Sequence, residues 1–353
     1  MTATKKRRVH VDFETRSTVN LKKTGVTPYA KHKTTDAWCM AYAIDDGPVK
    51  LWKMGDPFPA DLPVPSGGTD PDEDDFVYVA HNAPFEIAIW RHVMHARHGW
   101  PLIPLKYWRC TMAMAYTMAL PGSLDGAAKA VGLPHEKDMA GNRLMLQMAK
   151  PRKIEEDGEI IWWDVPEKLE KLYSYCKQDI VVERALDDRI LDLPPADLEV
   201  WRADQIENET GVPIDIKEAK RALEVIDDAA KLLDREMREV TDRAVGGCTK
   251  VKDLIAWLQT QGVETDTVAK ADVVTLLELP DLPQKARRAL ELRQLGSKSS
   301  TAKIKAMIEA ACPDGRVRGA HQYHGATTGR WAGRVHPSSN TRSTKSWDCC
   351  GRI

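Results

Sequence analysis

The sequence predicts a mixed α/β domain, one layered sheet with flanking helices, followed by a mainly α-helical region. Three observations carry this. Residues 7–17, "RRVHVDFETRS", alternate apolar Val9, Val11 and Phe13 with polar His10, Asp12 and Glu14, and period-two alternation marks a strand. Up to about Leu193 strand patterns cluster first and then alternate with helical ones, which argues for one layered domain. From Ala196 to Ala311 the pattern is almost wholly helical, with stretches such as "IKEAKRALEVIDDAAKLLDREMREV".

After the opening strand, "AWCMAYAID" and "PVKLWKM" read as two more strands joined by the turn "DDG". "GDPFPADLPVPSGGTDPDEDD" is rich in Pro, Gly and Asp and reads as a loop with solvated acids. "FVYVAHN" is the next strand, and a strand of the "KYWRC" type lies between the first two of five helices around Phe85–Arg97, Thr111–Leu120, Leu124–Val131, Gly141–Met148 and Glu167–Leu191. "LDLPPADLEVW" breaks two helical patterns and is where the domain boundary is expected. The expected organisation is therefore 1–193, 196–312 and 313–353. In the last forty residues Gly, Thr, Ser and Arg replace helix formers, and no internal repeat is visible.

The 353 residues suffice for two or three cores. A formal charge of −1 gives no global basic signature, yet from Glu291 to Ile353 eleven Lys or Arg face four acids. A basic end on a neutral protein suggests an anionic partner; a merely solvated surface is the alternative. The seven cysteines include no C-x-x-C pair, so neither a disulfide framework nor a zinc knuckle is indicated, and a reducing cytosol is expected. No apolar segment follows the basic N-terminus and no uncharged run approaches spanning length, so no membrane role is expected.

Asp12 and Glu14, two residues apart, project from the same face of the first strand. Like charges that close repel, so the pair reads either as acids on a solvated edge strand or as a metal site. In "AHNAPFEIAIW" the strand is expected to end at His81, with Asn82 as N-cap and Pro84 in the first turn. Glu86 then lies just past a strand end, where open α/β sheets place ligand groups, or it is simply a helix-dipole partner. In "KLYSYCKQDIVVERAL", Tyr175 and Asp179 stand at i and i+4, on one face of a helix.

D-x-E on a first strand, N-x-x-x-E after a later strand and Y-x-x-x-D on a late helix form an ordered series. Over roughly the first 190 residues it resembles the DEDD superfamily of 3′–5′ exonucleases, of the ribonuclease H-like fold. The resemblance implies two divalent cations, Mg²⁺ or Mn²⁺ about 4 Å apart, held by Asp12, Glu14, Glu86 and Asp179. One would activate the attacking water and the other stabilise the leaving 3′ oxygen, with Tyr175 orienting the water. Ser174 stands where the histidine-type branch carries its base, which implies the tyrosine-type branch.

"DFET", "CMAYA", "AHNAPFE", "LPGSLDGAAKAVGL", "EKDMAGNRLM" and "YCKQD" resemble, more narrowly, the proofreading domain of phage-type family A DNA polymerases, which also carry Glu in the second motif. Thr15 and Asn82, within these motifs, are then expected DNA contacts. "WRADQIENETGVPIDIK" resembles the start of their polymerase part, and the helices ending in "ELRQLGSKSSTAKI" resemble the thumb that grips duplex backbone. This implies phosphate contacts at Lys298, Ser299, Ser300 and Lys303, which position without specifying sequence. "RVRGAHQYHGATTGRWAGR" resembles the entry to the palm, with Thr328, Gly329 and Arg330 as a T-G-R signature touching primer–template. The likeness stops after Gly333, before the polymerase catalytic motifs, so a truncated or split polymerase is expected. The partners implied are DNA, as a single-stranded 3′ end and a primer–template duplex, and a separate palm and fingers chain; the setting is phage or host cytoplasm. An RNA-directed exonuclease and a catalytically dead DNA-binding fragment are the alternatives.

Overall fold

The computed structural model describes residues 6–67, 74–134, 138–296, 301–326 and 328–334. They form two compact units, residues 6–212 with 316–334, and residues 213–315.

The first unit is built on a five-stranded sheet ordered β3-β2-β1-β4-β5. The strands are β1 (Arg7–Arg16), β2 (Asp36–Ile44), β3 (Lys50–Lys53), β4 (Phe76–Ala80) and β5 (Trp108–Cys110). β2 runs antiparallel to β1 and β3, whereas β4 is parallel to both β1 and β5. This is the mixed sheet with flanking helices that the sequence predicts. The alternating β1 is the central strand, not a solvated edge, and its polar face is closed over as well: His10 is 2% and Glu14 7% exposed. Its apolar face, Val9, Val11 and Phe13, packs into a core with Tyr78, Trp90 and Trp100.

Short helices α1 (Leu21–Thr24) and α2 (Val26–Lys31) follow β1. The helix after β4 is less regular than the sequence suggests. α3 (Pro84–Ile89) passes into a π-turn over Trp90–His95 and ends in α4 (Ala96–His98). The remaining helices are α5 (Thr111–Thr117), α6 (Leu124–Ala130), α7 (Met139–Met148), α8 (Pro166–Asp187) and α9 (Pro195–Thr210). A small hairpin pairs Lys153–Ile154 with Ile160–Ile161, between α7 and α8. α8 lies on the polar face of β1, where Tyr173, Cys176 and Ile180 pack on Cys39, Ala41 and Ala43 of β2.

The expected boundary at 193–196 is corrected. α9 belongs to the first unit, because Leu198 and Trp201, 8% and 1% exposed, are part of its main core. The division falls between Val212 and Pro213 instead. Residues 316–334 also return to this unit rather than forming a third region. Tyr323 enters the core, the Trp331 indole N–H donates to Asp204 (2.7 Å), and Asn208 exchanges hydrogen bonds with the His321 backbone.

The second unit is helical, as expected. It comprises α10 (Ile216–Val240), capped by Asp215, then α11 (Val251–Thr260), α12 (Lys270–Leu277), α13 (Gln284–Gly296) and α14 (Thr301–Ala310). Met237, Leu254, Trp257, Leu258 and Leu290 form its core. Among the described residues no helix is long and apolar enough to cross a membrane.

Candidate functional site

Alternation along β1 turns Asp12 and Glu14 toward α8, and α8 brings Asp179 to meet them. One carboxylate oxygen from each lies within 4.8 Å of the others. A bulge sets the exit of the strand. Glu14 pairs with Cys39 and Thr15 with Ala37, so Trp38 is the extra residue on β2, and such insertions re-aim side chains beside sites.

Glu86 arrives from the first turn of α3, as expected, but its local support differs. Ala83 is the N-cap, while Asn82 sits in the left-handed region at φ +67°, a conformation Asn tolerates better than most residues. Glu86 is 3% exposed, and its buried Oε2 has no hydrogen-bond partner among the described residues. Asp12 repels its charge, and Glu86 in turn acts on Glu14.

Burial first, and repulsion second, shift all of these acids upward. Asp12 is pushed up to about 8 by burial and by Asp179. Glu14 and Glu86 are held well above the usual carboxylate range, again mainly by burial. Asp179 rises to about 6, restrained by a hydrogen bond from Tyr175. Burial and the neighbouring Asp179 charge raise the Tyr175 phenol, which also bonds to Asn142 of α7. Gly141 allows this approach: a β-carbon there would stand 2.4 Å from Tyr175 Cδ2.

Below the cluster the same two elements continue to face each other. Arg8 donates to both oxygens of Asp187 (2.5 and 2.6 Å) and to Asp192 (2.9 Å). His10 Nδ1 is 2.7 Å from Glu183 Oε2. The Cys176 thiol donates to the Asp12 backbone and carboxylate, each at 3.4 Å. None of Arg8, His10, Cys176, Glu183 and Asp187 is singled out by motif reading. The signal was present, however, as the continuation of the period of two before Asp12 and of the spacing of four after Asp179.

Among the described residues, no ion pair joins Asp12, Glu14, Glu86 or Asp179 to a Lys, Arg or His. Four acids with raised pKa values, Glu14 and Glu86 buried and Asp12 and Asp179 half-buried, suit hard divalent cations that take oxygen ligands.

The expected DNA contacts are dispersed. Thr15 lies on the other face of β1, with its hydroxyl 2.8 Å from that of Tyr29. Asn82 is half-buried near the strand end. Lys303 on α14, and Thr328 and Arg330 in the returning segment, are exposed. Lys298, Ser299 and Ser300 lie outside the described residues.

No protein-family model matches the chain. It is homologous to a DNA polymerase of Bacillus phage SP02, with 35% identity over 347 residues covering 96% of this chain and 52% of that protein. The chain therefore spans about half the length of this relative. Among solved structures, the POL domain of Pol1 from M. smegmatis, in complex with DNA primer–template and dNTP, superposes with a TM-score of 0.55 at 16% identity. That match covers 94% of this chain and 51% of the other, and shows a shared fold.

Proposed function

We propose that this homologue of a phage DNA polymerase is a 3′–5′ exonuclease of proofreading type, removing nucleotides from DNA 3′ ends with two divalent cations. The observation that carries the reading is the cluster of Asp12, Glu14 and Asp179 with Glu86 beside it, four buried or half-buried acids that no cation among the described residues neutralises. Homology to a DNA polymerase supports DNA as the substrate.

Asp12, Glu14, Glu86 and Asp179 would hold Mg²⁺ or Mn²⁺, and repulsion among them favours the cation-bound state. When bound, such ions lower the pKa of a water and stabilise charge on a departing oxygen. Tyr175 is fixed between Asp179 and Asn142. Its raised pKa keeps the phenol protonated, so it orients the attacking water by hydrogen bonding and does not act as the base. Lys298, Ser299, Ser300 and Lys303 would touch duplex phosphates, and Thr328 and Arg330 the primer–template. These groups position the substrate without reading bases.

The test is a time course on 5′-labelled single-stranded DNA with Mg²⁺ or Mn²⁺. A descending ladder is expected, lost with chelator and reduced on the order of 10²–10³-fold or more by Asp12→Ala, the scale of removing one essential charge-stabilising group. Folded protein that yields no ladder with either ion would refute the activity and favour a DNA-binding role.

A further inference from the structure

β1 and α8 face each other as a ladder. Along β1, Arg8, His10 and Asp12 recur every second residue, about 6.6 Å apart. Along α8, which runs the opposite way, Asp187, Glu183 and Asp179 recur every fourth residue, about 6.0 Å apart. The two repeats nearly match, so three rungs stay in step: Arg8 with Asp187, His10 with Glu183, and Asp12 with Asp179. In the first two rungs a side chain of β1 neutralises or hydrogen-bonds a carboxylate of α8. In the third, carboxylate meets carboxylate.

The lower rungs are buried and directional. Glu183 and Asp187 are 3% and 8% exposed and His10 is 2% exposed. Arg8 grips Asp187 through two N–H groups in a fork whose geometry tolerates little sliding. The His10 ring is held at both ends, by Glu183 at 2.7 Å and by Asp187 Oδ2 at 3.7 Å from Nε2. Where both acids of the third rung are ionised and no cation is bound, their repulsion opposes the close approach of α8 to β1. The apolar packing of Tyr173 and Ile180 on β2 and the Cys176 thiol hold the helix down, and the two lower rungs are placed to fix where along β1 it sits.

We propose that the His10–Glu183 and Arg8–Asp187 pairs are positioning groups, which set the axial register of α8 on β1 and so hold Asp179 against Asp12 at cation-binding spacing. The inference rests on the metal-site reading above. It assigns the pairs no contact with substrate. It predicts that cutting the middle rung weakens cation binding by about 10- to 100-fold, the range seen when groups that orient metal ligands are removed.

The probe is Mn²⁺ alone, titrated into the full chain and followed by the electron paramagnetic resonance of the free ion, with thermal melting as the control for folding. Glu183→Ala is expected to weaken binding 10- to 100-fold while melting stays cooperative. Glu183→Gln, which removes the charge but keeps an acceptor for His10 Nδ1, is expected to bind within a few-fold of the parent. Unchanged binding by Glu183→Ala overturns the proposal. So does a Glu183→Gln variant as weak as Glu183→Ala, since charge and not register would then be what the residue supplies. If Glu183→Ala fails to fold, the transposed pair His10→Glu with Glu183→His decides. Register predicts that this double variant binds at least about tenfold more tightly than His10→Glu alone, and equal binding overturns it. A parent protein that does not bind Mn²⁺ removes the metal reading itself, an outcome distinct from any change confined to the variants.

Discussion

Asp12 and Asp179 bind protons at pH values where ordinary carboxylates have long lost them. Unfolded, both ionise near pH 4; folded, burial and a neighbouring acid, Asp179 for Asp12 and Asp138 for Asp179, hold them at about 8 and about 6. Between pH 4 and pH 8 the folded protein therefore carries more protons than the unfolded chain, and these groups withdraw stability as pH rises. A cation among the ionised acids reverses that loss, and it competes with protons for the same oxygens. Mg²⁺ is therefore expected to raise the melting temperature more at pH 8 than at pH 5, with the difference abolished in Asp12→Ala. Equal shifts at both pH values, by differential scanning fluorimetry, would contradict this. At this scale much was legible: the D-x-E pair and the Y-x-x-x-D spacing name four of the five residues with local patterns. The orphaned Oε2 of Glu86 was not, because a missing partner is a property of packing and leaves no trace in spacing.

β1, α3, α7 and α8 each carry part of the site, and their contacts decide its precision. Asp138 caps α7 by accepting from the backbone N–H groups of Ala140 and Gly141, and this starts the helix against Tyr175. Gly141→Ala would set a methyl group 2.4 Å from the Tyr175 ring and 2.4 Å from Asp138 Oδ2. Something must move, and the phenol is the part that can. Exonuclease rate is expected to fall on the order of 10²-fold, the cost of an ångström-scale misplacement, with cooperative melting retained. A rate within twofold of the parent would show that Tyr175 has no positioning role. Element types were readable from periodicity, but ends and interruptions were not. Asn82 looked like a cap because Asn and Pro stand in the right order, yet the chain spends Asn82 on a left-handed turn and begins the helix after Ala83. The bulge at Trp38 and the π-turn at Trp90–His95 each carry a fully buried tryptophan, and alternation rules contain neither irregularity.

The chain folds as two compact units. The first builds the acid cluster and recovers residues 316–334, which bind back through Asp204, Asn208 and Glu209 of α9. The second is an independent helical core. The proline-containing break at 193–196 looked like a boundary because Pro ends helices, but Leu198 and Trp201 beyond it are apolar enough to join the preceding core. Composition marks where a chain turns, not which core it then enters. The central claim, that the acids of the first unit await divalent cations, is tested most directly by anomalous scattering from crystals of the full chain grown with Mn²⁺. Two peaks among Asp12, Glu14, Glu86 and Asp179, absent in Asp12→Ala crystals, are the predicted result. Electron density with the four side chains ordered as here and no anomalous peak among them, at millimolar Mn²⁺ and pH 8, would contradict the account.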